Sequence, residues 1–187
     1  MAIREHSIYD CIMMNALNLS EETALVSGDL RLTFSEIPIH VNCLARGLLN
    51  TSFEKGDRIA VLLKNCAEYA LLLAACSRVG VVVVCLNTRT SAGEMRMVLE
   101  STKPKALLFQ TIFAHQAEKL RDVFPHRQFY CIDEASILST SFDQLLDENP
   151  APLNEPQPGV DEGWLIIPTA TVDGVPKGAL LSQRNVL

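Results

Sequence analysis

The sequence predicts an α/β fold: a mainly parallel sheet with helices on both faces. Three features lead there. Residues 58–63 and 81–86 are almost continuously apolar, as strands covered on both faces are. Helical and extended patterns alternate through most of the chain, the mark of strand–helix–strand units and a parallel sheet. The chain has 187 residues, 48% hydrophobic and 20% charged, enough apolar material for one compact domain or one lobe of a bigger protein.

Taken in order, residues 7–18 place Ile8, Cys11, Ile12 and Ala16 at helical spacing, predicting an amphipathic helix. Thr23-Ala24-Leu25-Val26 and Leu30-Arg31-Leu32-Thr33-Phe34 flank a Ser27-Gly28-Asp29 turn and predict a hairpin. Thr33-x-x-Glu36 has capping-box spacing, with Ser35 as an alternative cap. The helix after it carries Ile37, Val41, Leu44, Ala45, Leu48 and Leu49 on one side. Pro38 belongs in its first turn, where proline is tolerated.

Lys55-Gly56-Asp57 is a turn into the strand at 58–63. Asn65 is placed to cap a helix over 66–79, and Gly80 to end it. The β-branched run at 81–86 is the next strand. Ser91 caps a helix to about 102, which Pro104 stops. A strand at 106–109, a helix at 111–124, a strand at 129–132 and a short helix at 141–147 follow. Residues 149–161 hold Pro150, Pro152, Pro156 and Pro158 and read as an extended surface linker. Leu165-Ile166-Ile167 is the last strand, and Ser182 is read as the cap of a helix that the chain end cuts off.

The net charge of −6 argues against a broad nucleic-acid surface, which needs clustered lysine and arginine. None of the six cysteines forms a C-x-x-C pair, so a reduced, cytoplasmic protein is expected rather than a disulfide framework or zinc site. Residues 1–6 lack the apolar core of a signal peptide. The most membrane-like stretch, 69–86, is interrupted by Ser77, Arg78 and Gly80, so a buried helix and strand are expected there instead of a membrane span.

The chemistry-bearing stretch is 164–185. A strand runs into a small-residue loop at 169–173, then Gly174-x-Pro176-Lys177-Gly178. Glycines let backbone amides fold around an anion, and a lysine adds a point charge for phosphate. The common P-loop pattern is absent. By spacing alone, an anion cradle and an ordinary turn with a solvated lysine are both open.

Residues 169–178 resemble the phosphate loop of the adenylate-forming (AMP-binding) superfamily: acyl-CoA synthetases, luciferases and the adenylation domains of peptide synthetases. Upstream segments resemble that superfamily in order and spacing. They are Leu32-Thr33-Phe34-Ser35-Glu36-Ile37, the run Lys55-Gly56-Asp57-Arg58 through Lys64-Asn65, and Arg78-Val79-Gly80 through Leu86-Asn87 with Arg89. The resemblance covers about residues 20–187 and is most like an acyl-CoA synthetase. It implies the N-terminal part of the large AMP-binding domain, spanning 1–187 with the linker at 149–161 inside it.

It also implies ATP and Mg²⁺, a carboxylic acid converted to an acyl-adenylate, and transfer to coenzyme A or a carrier-protein thiol. The site residues it implies are Thr169, Thr171, Gly174, Lys177 and Gly178, wrapping the β- and γ-phosphates. The acid-pocket, metal and ribose motifs of the family, and its mobile C-terminal lysine, would lie beyond residue 187. No catalytic residue is therefore assigned here, and the chain alone is expected to be inactive. A face left bare is expected to self-associate.

The loop departs from the family pattern. Ala170, Thr171, Val172 and Asp173 stand where the family has a Ser/Thr/Gly-rich run. Either Asp173 points outward, or its carboxylate weakens triphosphate binding by like-charge repulsion. The alternative function is accordingly a non-catalytic lobe that binds a nucleotide or a partner. Among other residues, His6, His40, His115 and His126 have no paired ligand spacing, Asp133-Glu134 reads as a helix start, and Arg89 is open between an ion pair and a substrate contact.

Overall fold

The computed structural model describes residues 6–124, 128–133, 139–169 and 177–187. Helix α1 (Ile8–Asn18) starts at Ser7, whose hydroxyl accepts from the Asp10 N–H while the Asp10 carboxylate accepts from the Ser7 N–H. Strands β1 (Thr23–Ser27) and β2 (Leu30–Thr33) form the expected antiparallel hairpin around Gly28, whose φ of 58° is left-handed. Helix α2 (Ile37–Asn50) begins one residue after Glu36 and takes no side-chain cap. The Glu36 carboxylate instead accepts from the Thr33 N–H and hydroxyl, at 2.8 and 3.0 Å. Only half of the expected capping box forms, and Ser35 is not the cap.

Strand β3 (Arg58–Leu62), helix α3 (Ala67–Val79) and strand β4 (Val82–Cys85) form a parallel crossover. Cys66, not Asn65, is the residue before α3, and it offers no side-chain cap. Gly80 ends α3 in the left-handed conformation, φ 78°. Helix α4 (Ala92–Thr102) has the full Ser91–Glu94 capping box and stops at Lys103, before Pro104. Strands β5 (Ala106–Phe109), β6 (Phe129–Cys131) and β7 (Thr140–Ser141) continue the sheet.

The helix expected over 111–124 is broken. It comprises a 3₁₀ turn (Thr111–Phe113), the short helix α5 (Ala114–Glu118) and a second 3₁₀ turn (Arg121–Val123). Thr111, Ile112 and Phe113 are poor helix formers, and no side chain caps the start. Phe113, Ala117, Leu120 and Phe124 are still buried, so the helical spacing of apolar residues survived where the continuous helix did not. The short helix expected at 141–147 is a 3₁₀ turn, Phe142–Leu145.

Strands β8 (Gly163–Pro168) and β9 (Gly178–Ser182) complete the sheet. Among the described residues its order is β7-β6-β5-β3-β4-β8-β9, parallel except for the antiparallel β8–β9 pair. Strand β9 was not among the expected elements, and the helix expected from Ser182 is not formed. Pairing with β8 takes up 178–182, and Ser182 then caps only a 3₁₀ turn, Gln183–Asn185.

Alternation along the strands divides the core between the two faces. Ile59, Val61 and Val83 pack with Tyr9, Val41, Leu44 and Leu72 of α1–α3. Ala60, Leu62 and Val84 pack with Met95, Leu99 and Leu120 on the other side. Strands β3 and β4 are central, as their apolar runs require.

The proline-rich segment is an extended strap laid over the helices. Asn42 Nδ2 donates to the Pro150 carbonyl at 2.9 Å, and Arg46 to that of Ala151 at 2.9 Å. Arg78, 3% exposed, donates to the carbonyls of Leu153 and Glu155 at 2.8 Å each and lies over the Tyr9 ring. The sequence marks this arginine only as a break in a hydrophobic run; the fold uses it to hold the strap down.

Candidate functional site at the carboxyl edge of the sheet

Open α/β sheets bind ligands outside the carboxyl ends of their strands, where the chain reverses its winding. Here the winding goes from β3 to β4 on one side, crosses back to β5 on the other, and later returns to place β8 beside β4. The segment between β8 and β9 leaves from this edge.

Its two ends are described. Thr169 directs both its N–H and its hydroxyl to the Lys177 carbonyl, at 2.7 and 3.1 Å. These bonds close the neck of the β8–β9 hairpin. The Thr169 donors are thus engaged in holding the loop ends together. The Lys177 side chain is exposed and forms no ion pair among the described residues. Gly178 opens β9 opposite Pro168, and a Cβ there would lie 2.7 Å from Ile166 Cγ2. Close packing of the two strands therefore requires glycine at 178. Thr171, Gly174 and Asp173 lie outside the described residues.

Beneath the neck is a cleft of about 740 Å³ between the β1–β2 hairpin, the start of α3, and β4 and β8. The sequence reading missed it, because no local pattern marks a space enclosed by four segments distant in sequence. Cys66, Tyr69 and Cys85 line one wall. Burial pushes the Cys66 thiol up to about 11 and raises Tyr69 and Cys85 above their ordinary values. All are neutral near pH 7, so this wall behaves as apolar surface.

These shifts set an alkaline limit on stability. Cys66, Cys76 and Cys85 are raised mainly by burial, so the folded state keeps protons that the unfolded state loses above the model thiol value of 9.0. Their contribution is complete below that value and is lost as pH rises through the folded values. Urea midpoints should therefore hold steady from pH 7 to 8.5 and fall above about pH 9. A midpoint unchanged at pH 10.5 would show that these thiols are not buried in solution.

None of Asp133, Arg89 and the described histidines lines this cleft. Asp133 accepts from the Thr111 N–H at 2.9 Å, holding the start of the 3₁₀ turn after β5; Glu134 lies outside the described residues. Arg89 is exposed, and its side chain forms no ion pair among the described residues. His6, His40 and His115 are exposed, and His126 is not described. No cluster of three metal-ligating side chains occurs among the described residues. No helix among them is long and apolar enough to cross a membrane.

Comparison with known proteins decides the family, because the model described as AMP-binding enzyme matches residues 14–187. The chain belongs to the AMP-binding enzyme family. Among its relatives is YdaB of Bacillus subtilis strain 168, provisionally named an acyl–CoA ligase. It is 28% identical over 179 residues, which is 94% of this chain and 35% of YdaB. The medium-chain fatty-acid–CoA ligase of Escherichia coli K12 is 26% identical over 190 residues, 97% of this chain and 34% of that protein. A crystal structure from Rhodopseudomonas palustris, of a protein provisionally named a long-chain-fatty-acid CoA ligase, matches with TM-score 0.89 and 28% identity. It covers 99% of this chain and 46% of that one. This AMP-binding chain thus spans about a third of the length of these curated relatives.

Proposed function

We infer that residues 1–187 form the N-terminal part of the large domain of an acid–thiol ligase. It would use ATP to activate a carboxylic acid as its acyl-adenylate and pass the acyl group to coenzyme A or a carrier-protein thiol. The observation that carries this reading is the family match over residues 14–187, with relatives named as acid–CoA ligases.

Within it, the residues assigned to phosphate are Thr169, Thr171, Gly174, Lys177 and Gly178. The described ones suit an anion in part. Lys177 supplies an exposed cation with no ion pair among the described residues, and the hairpin neck fixes where the loop begins and ends. The role of Lys177 is to offset charge on the β- and γ-phosphates, while loop amides orient them. Mg²⁺ would supply further charge neutralisation of the departing pyrophosphate; no residue of this chain is assigned as its ligand. A cytoplasmic setting belongs to the same proposal, on the cysteine usage.

Calorimetric titration with ATP and Mg²⁺ tests the phosphate assignment in this chain, and saturable binding is expected. Acid-dependent pyrophosphate exchange by the same 187 residues is expected to be absent, because about two thirds of the relatives' length has no counterpart here. Exchange with any carboxylic acid would overturn that expectation. Self-association is part of the same expectation. Among the described residues, strand β9 is an edge strand, with Leu180 60% exposed on it, and exposed apolar edges recruit partners. Sedimentation showing a monomer over a wide concentration range would argue against it. The departure at 170–173 favours the second reading, a lobe that binds a partner or a nucleotide without catalysis; failure of ATP to bind would leave its partner-binding form as the better one.

A further inference from the structure

The proline-rich strap is firm at its two ends and lightly held between them. Before it, the Asp147 N–H donates to the Cys43 carbonyl at 3.0 Å, and Asn50 Nδ2 donates to the Asp147 carboxylate at 2.7 Å. After it, the Gly159 N–H donates to the Glu162 carboxylate at 2.9 Å, and Lys55 Nζ donates to the same group at 2.8 Å. The Arg184 N–H donates to the Val160 carbonyl at 3.0 Å, and the Arg184 guanidinium to the Asp161 carboxylate at 2.5 and 2.9 Å. The β8–β9 hairpin is thereby tied down without help from residues 149–158.

Between these ends, the backbone–backbone hydrogen bonds among the described residues include none from 149–158. The body holds the segment through side chains instead. Asn42, Arg46 and Arg78 donate to the carbonyls of Pro150, Ala151, Leu153 and Glu155. Gln157 accepts from the Ser7 hydroxyl at 2.6 Å and donates to the Asp10 carboxylate at 3.1 Å. Of residues 149–158, Leu153 and Pro158 alone are buried. A segment with few buried apolar side chains and no backbone ladder belongs to the low-stability end of a fold. Its four prolines keep it extended when free, so it docks again in the shape in which it left.

Arg78 gives a second reason for easy opening. Its Nη2 makes both carbonyl bonds, whereas Nε and Nη1 are buried with no hydrogen-bond partner among the described residues. No carboxylate pairs with it among those residues. The Tyr9 ring faces the charge, its centroid 5.3 Å away. The closed strap therefore keeps from water a guanidinium that the open strap would let water reach. That cost offsets part of what the carbonyl bonds contribute.

We propose that residues 149–158 are a latch, which leaves the α1–α3 face as one unit, pivoting at Asp147 and Gly159, while the rest of the chain stays folded. Opening uncovers Tyr9, Asn42 and Arg78, so that a buried charge becomes a surface cation. The sheet and the β8–β9 hairpin keep their places, because their own anchors lie outside the latch.

Leu153 reports the event. It is 7% exposed, and a protease cuts only where the chain has opened. The 187-residue chain is treated briefly with chymotrypsin in rising urea below its unfolding transition, and mass spectrometry follows the cut after Leu153. That cut should occur in the native protein, and its rate should change less than about twofold over this range, because opening the latch exposes little surface. The cut after Leu72, fully buried in α3, should instead rise steeply with urea, since it waits for global unfolding. Arg78→Ala should speed the Leu153 cut at least about tenfold, because two carbonyl bonds are lost. Arg46→Ala should speed it about threefold, and it keeps the test open if Arg78→Ala fails to fold. A Leu153 cut with the same urea dependence as the Leu72 cut would overturn the proposal. So would parent rates in Arg46→Ala and in a folded Arg78→Ala, since these bonds would then not hold the segment closed.

Discussion

Gly47→Ala should destabilise the protein by about 3 kcal/mol, against the usual benefit of alanine in a helix. Gly47 lies in the last turns of α2, where the turn Phe142–Leu145 packs on it. A Cβ built there lies 1.9 Å from the Leu145 carbonyl oxygen and 2.5 Å from its carbon. Both are backbone atoms, so no side-chain rotation relieves the overlap; either the turn or the helix must move. Leu145 is fully buried, and moving the turn opens the core beneath it. Gly93→Ala is the matched control. Gly93 sits in α4 with only Ser91 Oγ near, at 3.9 Å, and alanine there should stabilise by roughly 0.5 kcal/mol. Urea unfolding of the two variants measures both. If Gly47→Ala gains stability as Gly93→Ala does, the turn is not docked on α2.

The second large effect concerns Lys177. Under the ligase reading, Lys177→Ala should weaken ATP about tenfold to a hundredfold, the range for removing a charge-assisted contact. The lysine is exposed and makes no ion pair among the described residues, so its removal should leave the melting temperature unchanged and confine the loss to binding. Asp173→Thr should act in the opposite sense, because it removes a like charge and restores a hydroxyl. Calorimetric titration with ATP and Mg²⁺ reads both. Equal affinities for the parent and both variants would mean that this loop does not hold triphosphate.

Local chemistry by itself determined much of this fold. Gly80 ends α3 because only glycine takes φ 78° without strain. Ser91 and Glu94 start α4 because their side chains meet the free N–H groups of its first turn. Residues 58–63 and 81–86 had to be central strands, since neither face of them tolerates water. The place of the phosphate-loop candidate, straight after a buried strand, followed from the same reasoning.

What only the tertiary structure decided depends on partners far along the chain. Residues 178–182 form a strand because β8 supplies their hydrogen bonds, and strand formation is set by such neighbours more than by intrinsic preference. The apolar spacing at 113, 117, 120 and 124 told which side chains are buried, but not that poor helix formers would break the backbone into three pieces. Arg78 reads in sequence as an interruption; it is buried because the carbonyls of Leu153 and Glu155, more than seventy residues on, accept its protons. The cleft between the β1–β2 hairpin and α3 has no sequence signature, since a cavity is the space that segments leave between them, and their apolar residues read the same whether they touch each other or face a gap.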